Sequence, residues 1–235
     1  MTQPVGSAAG SEFLVDPAWL RVYQDDPDLV LIDIDGEAAY RRGHIPGAVM
    51  LPSNYERDPV SGWVSTFSPQ KFGETCLSLG IGDATRVIVY DHNMSLYAAR
   101  FWWVLNYYGH SNVNVLDGGW RRWVTEGGLV SFDEAVPVTG VKFTPIIDES
   151  IVGTLEDVRT ACSLSDSVIW DVRTKEEYDG RTSRGGLRPG HIPGAVNLDW
   201  TDLMDRETHR FRPVAEIQRL LTEQGITPDK AVFAY

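Results

Sequence analysis

Apolar residues along the chain fall into short blocks separated by polar, glycine-bearing stretches. Leu29 to Ile34 is a nearly continuous apolar run closing on acidic and glycine residues, and Arg86 to Tyr90 is a second such run. Continuous apolar runs of this length are the pattern of strands buried on both faces of a parallel sheet. Asp16-Pro17 offers an N-cap followed by proline at the first helical position, which predicts a short helix through Val22. A second helix is predicted from Ser68-Pro69 to Gly80, and a long aromatic one from Leu96 to Tyr108, stopped by Gly109. Val113 to Leu116 then reads as a strand, Gly118-Gly119 as a turn and Trp120 to Thr125 as a closing helix. Such alternation predicts an α/β fold, a parallel sheet flanked by helices. Leu129 to Ser150, with Pro137, Gly140 and Pro145, reads as a linker.

The same pattern occurs twice. Gly43-His-Ile-Pro-Gly-Ala-Val49 returns unchanged as Gly190-His-Ile-Pro-Gly-Ala-Val196, an offset of 147 residues (190 minus 43). Upstream, Leu31-Ile-Asp33 matches Ile169-Trp-Asp171, Tyr40 matches Tyr178, and the cap Asp16 matches Thr154, all at an offset of 138. The difference places nine extra residues in the second copy, between Tyr178 and Gly190. Downstream, the segment from Gly80 to Tyr90 aligns with that from Gly225 to Tyr235 at an offset of 145. The chain is a duplication, and its second copy stops where the first continues into a crossover helix, a strand and a closing helix.

Composition narrows the functional classes. With 235 residues, 43% hydrophobic and 23% charged, the chain is globular in type, and collagen, coiled-coil and low-complexity classes are excluded. Its 33 acidic against 21 basic groups give a net charge of −12, the wrong sign for binding a phosphate backbone or an anionic membrane. No apolar run approaches the roughly 20 residues that span a bilayer, and the first ten residues have neither a basic flank nor an apolar core. The expectation is a soluble cytoplasmic protein. Cys76 and Cys162 stand far apart in helix-like segments and read as small buried residues rather than a disulfide or metal pair. The five histidines include no close ligand pair, so neither a metal nor any other cofactor is expected.

In open parallel sheets, ligands bind beyond the carboxyl ends of the strands, where loops run into helix N-termini with unpaired N–H groups. The loop Asp91-His-Asn-Met-Ser-Leu96 is such a place, but Asp91 at its head cannot act as a thiolate or carry covalent sulfur. Its counterpart in the second copy is the residue after Tyr235.

The paired Gly-His-Ile-Pro-Gly-Ala-Val elements, the pattern Asp171-x-Arg173-x-x-x-Glu177-Tyr178 and the stretch from Tyr107 through Gly118-Gly119-Trp120 resemble the tandem-domain rhodanese family, the thiosulfate and 3-mercaptopyruvate sulfurtransferases. The likeness runs from about Val15 onward. It implies two rhodanese-like domains, residues 13–128 and 151–235, joined by the linker 129–150, with the second domain incomplete and the active site in a cleft between the two. It also implies a catalytically silent first domain and a nucleophilic cysteine opening the second domain's loop, so no catalytic residue is expected among the 235 and the cysteine is expected immediately after Tyr235. A complete second domain needs on the order of 40 to 50 further residues, which predicts that the polypeptide continues.

The implied partners are a small anionic sulfur donor and a thiol or cyanide acceptor, with oligomeric state left open. An acidic protein that takes anionic donors needs local positive charge, and the insertion supplies it. Arg184 stands seven residues before His191, matching a substrate-carboxylate arginine of similar mercaptopyruvate enzymes, and Arg181 and Arg188 flank it. Glu177 stands where some relatives carry a second arginine, which weakens a mercaptopyruvate preference. Tyr97 and Trp200 are the expected pocket walls. His44 and His191 occur equally in both copies and are therefore assigned to turn geometry, and Asp33 and Asp171 to tying down the turn after a strand. A catalytically inactive rhodanese-like binding module is the alternative. A loop-cysteine phosphatase or arsenate reductase of the same fold is a third reading.

Overall fold

A computed structural model describes residues 11–51, 68–183 and 188–235. The chain divides into two compact units, residues 1–149 with 207–210, and residues 150–206 with 211–235.

In the first unit the elements run β1 (Leu14–Val15), α1 (Pro17–Tyr23), β2 (Leu29–Asp33), α2 (Glu37–Tyr40), β3 (Val49–Met50), α3 (Pro69–Ser78), β4 (Arg86–Tyr90), α4 (Leu96–Tyr107), β5 (Val113–Leu116) and α5 (Gly119–Thr125). The sheet has the order β1-β5-β4-β2-β3, with every pairing parallel. The α1 cap forms as its residue types require: the Asp16 carboxylate accepts the Trp19 N–H at 2.7 Å, with Pro17 following at the first position. Both apolar runs become central strands, and Val87, Ile88, Val89 and Tyr90 are fully buried. The register of β2 against β4 sets Asp33 opposite Tyr90, which brings two polar strand ends side by side.

Residues 129–148, within the segment read as a linker, lie along this unit. Ser131 exchanges both backbone hydrogen bonds with His44, at 2.9 and 3.0 Å, and Thr144 donates through N and Oγ1 to Asp83. Ile146 N and Asp148 N donate to the carbonyls of Tyr108 and Tyr107 at the end of α4. Gly109, which ends that helix, has φ +83 and lies so close to the Ile146 carbonyl that a Cβ would sit 2.8 Å from it.

The second unit contains α6 (Leu155–Ala161), β6 (Ser167–Asp171), α7 (Lys175–Tyr178), β7 (Val196–Asn197), α8 (Val214–Glu223) and β8 (Ala231–Ala234). Its parallel sheet, β7-β6-β8, repeats the β3-β2-β4 portion of the first. Thr154, the counterpart of Asp16, caps α6 through a reciprocal box with Asp157. The small core of Ala161, Ile169 and Ala195 is joined by Val158, Tyr178, Ile192, Phe233 and Tyr235.

The two cysteines differ. Cys76 is buried in α3 as expected, and burial pushes its thiol far above the ordinary range. Cys162 corrects the expectation of burial: it is the exposed C-cap of α6, past the last residue of the helix's buried face, Ala161. No helix among the described residues is long and apolar enough to cross a membrane.

Candidate active site

The carboxyl ends of the central strands carry the polar constellations in both units, and each is built on an aspartate, a tyrosine and the repeated turn. In the first unit Asp33 ends β2. Its Oδ1 accepts the Asp35 N–H at 3.0 Å, tying down the turn, and its Oδ2 accepts the Tyr90 hydroxyl at 2.7 Å. Tyr90 in turn accepts the Ile45 N–H at 3.0 Å, from within the heptapeptide. One phenol thus joins strand end to strand end and both to the turn. Burial, with the neighbouring Asp33 charge, raises the Tyr90 phenol well above its ordinary value, and burial raises Asp33 despite its hydrogen bonds.

Asp91 comes directly after Tyr90. It is 1% exposed, and its carboxylate is enclosed by backbone donors: Oδ1 accepts from Asn93 and Ser95, each at 2.8 Å, and Oδ2 accepts from Tyr97 at 2.9 Å and Ala98 at 3.0 Å. The loop reaches this curvature through left-handed Met94 (φ 54) and Ser95 (φ 64), so the N–H groups and the start of α4 all converge on one anionic group. Burial raises the Asp91 carboxyl, and the N–H donors oppose it. Beside it, His92 Nδ1 pairs with Asp35 Oδ2. Burial alone lowers the His92 imidazole, but the Asp35 hydrogen bond and the charges of Asp35, Asp33 and Asp91 together carry it above its ordinary value.

The second unit repeats the frame and changes the charge. Asp171, fully buried at the end of β6, accepts the Arg173 N–H at 3.0 Å through Oδ1. Arg173, which occupies the place of Asp35, turns its guanidinium back onto the same carboxylate: Nε donates to Oδ1 at 2.9 Å and Nη2 to Oδ2 at 2.6 Å. Nη2 also donates to the Gly190 carbonyl at 2.9 Å, and the guanidinium carbon stands 5.3 Å from the centre of the Tyr235 ring. The Tyr235 hydroxyl accepts the Ile192 N–H at 3.0 Å, as Tyr90 does with Ile45, and stands next to Asp171; burial, helped by the Asp171 charge, raises the phenol. Burial works to raise Asp171, yet the Arg173 and Tyr235 hydrogen bonds hold it below the usual carboxylate range, the opposite direction from Asp33.

The turn assignment of the histidines holds. His44 stacks on Tyr40 with centroids 3.7 Å apart, and His191 stacks on Tyr178 at 3.7 Å. Nδ1 of each ring bonds the carbonyl of that tyrosine, at 2.9 and 2.8 Å, and the tyrosine hydroxyls donate to Ala48 O and Ala195 O, each at 2.8 Å.

Of the proposed donor-binding residues, Arg184 lies outside the described residues. Arg181 is exposed and its guanidinium pairs with Asp179, which also takes Lys175. Arg188 is exposed. Trp200 is half-buried and opens a 3-10 turn, Trp200–Leu203, its N–H donating to Val172 O at 3.0 Å. Tyr97 stands in the first turn of α4 with half its surface exposed and its N–H on Asp91. Two features were not assigned a role from sequence, the tyrosine bridge and the Arg173 fork. The signal for the first was present, since Tyr90 and Tyr235 fall at matching positions of the aligned copies.

Residues 16–126 and 154–235 match the Rhodanese family, described as a rhodanese-like domain. The chain belongs to this family. Among its rhodanese relatives is a thiosulfate sulfurtransferase of Pseudomonas aeruginosa, 31% identical over 227 residues, covering 94% of this chain and 81% of that protein. A sulfur carrier protein, TtuD, of Thermus thermophilus is 31% identical over 97% of this chain and 83% of its own length. The 3-mercaptopyruvate sulfurtransferase of Rattus norvegicus is 32% identical over 85% and 68%. The crystal structure of SseA from Escherichia coli, described as a 3-mercaptopyruvate sulfotransferase with the rhodanese fold, aligns with TM-score 0.83 at 27% identity, over 94% of this chain and 87% of that one.

Proposed function

We propose that this rhodanese is a sulfurtransferase whose first domain, residues 13–128, is silent and whose second domain, joined through 129–150 and beginning at 151, performs the chemistry. The relatives named for sulfur transfer support the reaction class. The nucleophile in this reading is a cysteine immediately following Tyr235. Its thiolate attacks the outer sulfur of thiosulfate, a new S–S bond forms, and sulfite leaves with the electron pair of the bond that breaks. With 3-mercaptopyruvate the C–S bond breaks instead, and pyruvate leaves as an enolate that takes up a proton. Cyanide or a thiolate then attacks the terminal sulfur of the persulfide and expels the cysteine thiolate.

The observation that carries the reading is the Asp91 loop. An anion at the head of this loop meets four backbone N–H groups and the start of a twelve-residue helix. The same device at the matching position of the second domain would hold a thiolate or persulfide without any side-chain cation. For the donor anion we assign Arg184, Arg181 and Arg188 as guanidinium partners and Trp200 and Tyr97 as apolar contacts. Arg181 is available by exchanging an exposed, solvent-screened ion pair with Asp179.

The test is thiocyanate formation from cyanide by the full polypeptide, with thiosulfate and with 3-mercaptopyruvate as donors. Saturable, double-displacement kinetics with at least one donor is the expected result. No thiocyanate from either donor would overturn the reading in favour of a binding module.

A further inference from the structure

The two units differ most sharply at one matched position, Asp35 against Arg173. In the first unit Asp35 leaves the strand-end carboxylate and pairs with His92. In the second, Arg173 gathers three separate pieces of chain: the carboxylate of Asp171 at the end of β6, the carbonyl of Gly190 at the head of the repeated turn, and the ring of Tyr235, immediately after β8. Tyr235 is also fixed by its own N–H to Trp170 O at 3.0 Å, by its carbonyl to Val172 N at 3.1 Å and by its hydroxyl to Ile192. A planar guanidinium is the group suited to this, since it forks onto a carboxylate, has donors left for a carbonyl, and presents a face to an aromatic ring.

We propose that Arg173 is a positioning residue for sulfur transfer: by clamping Asp171, Gly190 and Tyr235 together, it sets the place and the charge environment of the residue that comes after Tyr235. The proposal rests on the sulfurtransferase reading and deepens it. Arg173 itself touches neither donor nor acceptor. It acts through the strand end, and its cation offsets the Asp171 carboxylate that would otherwise stand uncompensated beside an anionic nucleophile. The titratable groups facing it are Asp171 and Tyr235, and the turn contributes only a carbonyl.

Arg173→Gln and Arg173→Lys in the full polypeptide separate the two effects. Both lose the fork, so kcat falls by about tenfold to a hundredfold while the donor KM stays within about twofold, because a small misplacement of a reacting atom acts on the chemical step. Arg173→Gln also leaves the Asp171 charge unopposed, which disfavours a nearby thiolate and moves the acid limb of iodoacetamide alkylation at the thiol after Tyr235, read by peptide mass apart from the exposed Cys162, upward by about half to one pH unit. Arg173→Lys restores a cation and returns that limb toward the wild-type position without restoring kcat. Variants that fold normally but retain kcat and the wild-type alkylation profile overturn the proposal alone. A wild-type protein with no reactive thiol besides the exposed Cys162 and no thiocyanate production overturns the sulfurtransferase reading, and this proposal with it, before any variant is made.

Discussion

Gly43–Val49 and Gly190–Val196 are the same seven residues and build the same turn, yet the strand ends beside them carry opposite charges, Asp35 in one copy and Arg173 in the other. In the first, His44 is fully buried: Ser131 forms a backbone bridge across it, and the Asp133 carbonyl stands 3.0 Å from Nε2. Ala135 N donates to the Tyr40 hydroxyl at 3.1 Å, completing a strap over the stacked pair. In the second, the stack of His191 on Tyr178 keeps the same geometry, 3.7 Å with rings 5° from parallel against 3° in the first. The shape of the turn is therefore a local property of seven residues and one tyrosine. Charge comes from residues outside the repeat, Asp35 in one unit and Arg173 in the other, and it makes the two strand ends chemically different.

The largest expected effect tests the anion nest of the first unit. Asp91→Ala strips the acceptor from four backbone N–H groups, two of them fully buried, and should cost about 3–4 kcal/mol in urea unfolding, with Asp91→Asn intermediate because one oxygen remains. A cost below about 1 kcal/mol would mean that the loop is held by something else.

Next comes the same edit in both copies. Tyr90→Phe leaves Asp33 Oδ2 and Ile45 N without their partner in a fully buried place and should cost about 2 kcal/mol, whereas Tyr235→Phe, which frees Ile192 N, should cost about 1 kcal/mol. Hydrogen exchange of the two units reads them separately. Equal losses would remove the energetic difference between the strand ends.

His44→Ala loses a buried stack on Tyr40 and the contact with the strap and should cost about 2 kcal/mol in the first unit, read by urea unfolding.

The smallest effect is in pH dependence, and its sign differs between units. His92 is raised in the folded state, so its contribution is fully present below its unfolded value, about 6.5, and is lost as pH rises through the higher folded value. His92→Gln should flatten the stability of the first unit across that window. Asp171 is lowered, so its contribution is present above about 3.9 and is lost as pH falls through the folded value. An acid-side change confined to the second unit on Arg173→Gln, with none on the alkaline side, fits this assignment.

Much of this was legible in the amino-acid order. Runs such as Arg86–Tyr90 and Val113–Leu116 became strands over those same residues, because four or five residues, all but one of them apolar, between polar turns leave few alternatives. Elements of two to four residues, such as β1, β3, α2 and α7, have no period to read, and only parallel pairing or a turn of chain around Tyr40 and Tyr178 brings them out. Repetition decided what the histidines do, since a residue shared by both copies points to shape.

The His92–Asp35 pair was not legible, although its cause is simple. Asp33 pairs with Tyr90 in register, and two residues further along each chain Asp35 meets His92. Register between strands 57 residues apart is a tertiary fact, and composition says nothing of it. The same holds for the Arg173 fork, where the Asp-x-Arg pattern was visible but the Gly190 carbonyl and the Tyr235 ring arrive from other parts of the chain. Arg184 lies outside the described residues, so its role stands on its spacing from His191 alone.

The most direct test of sulfur transfer is the intact mass of the full polypeptide after incubation with a sulfur donor, measured before and after cyanide. A loss of about 32 Da on cyanide treatment is expected, one sulfur atom from a cysteine persulfide, with thiocyanate formed in equal amount. A mass unchanged by cyanide after exposure to both thiosulfate and 3-mercaptopyruvate would contradict sulfur transfer through a cysteine.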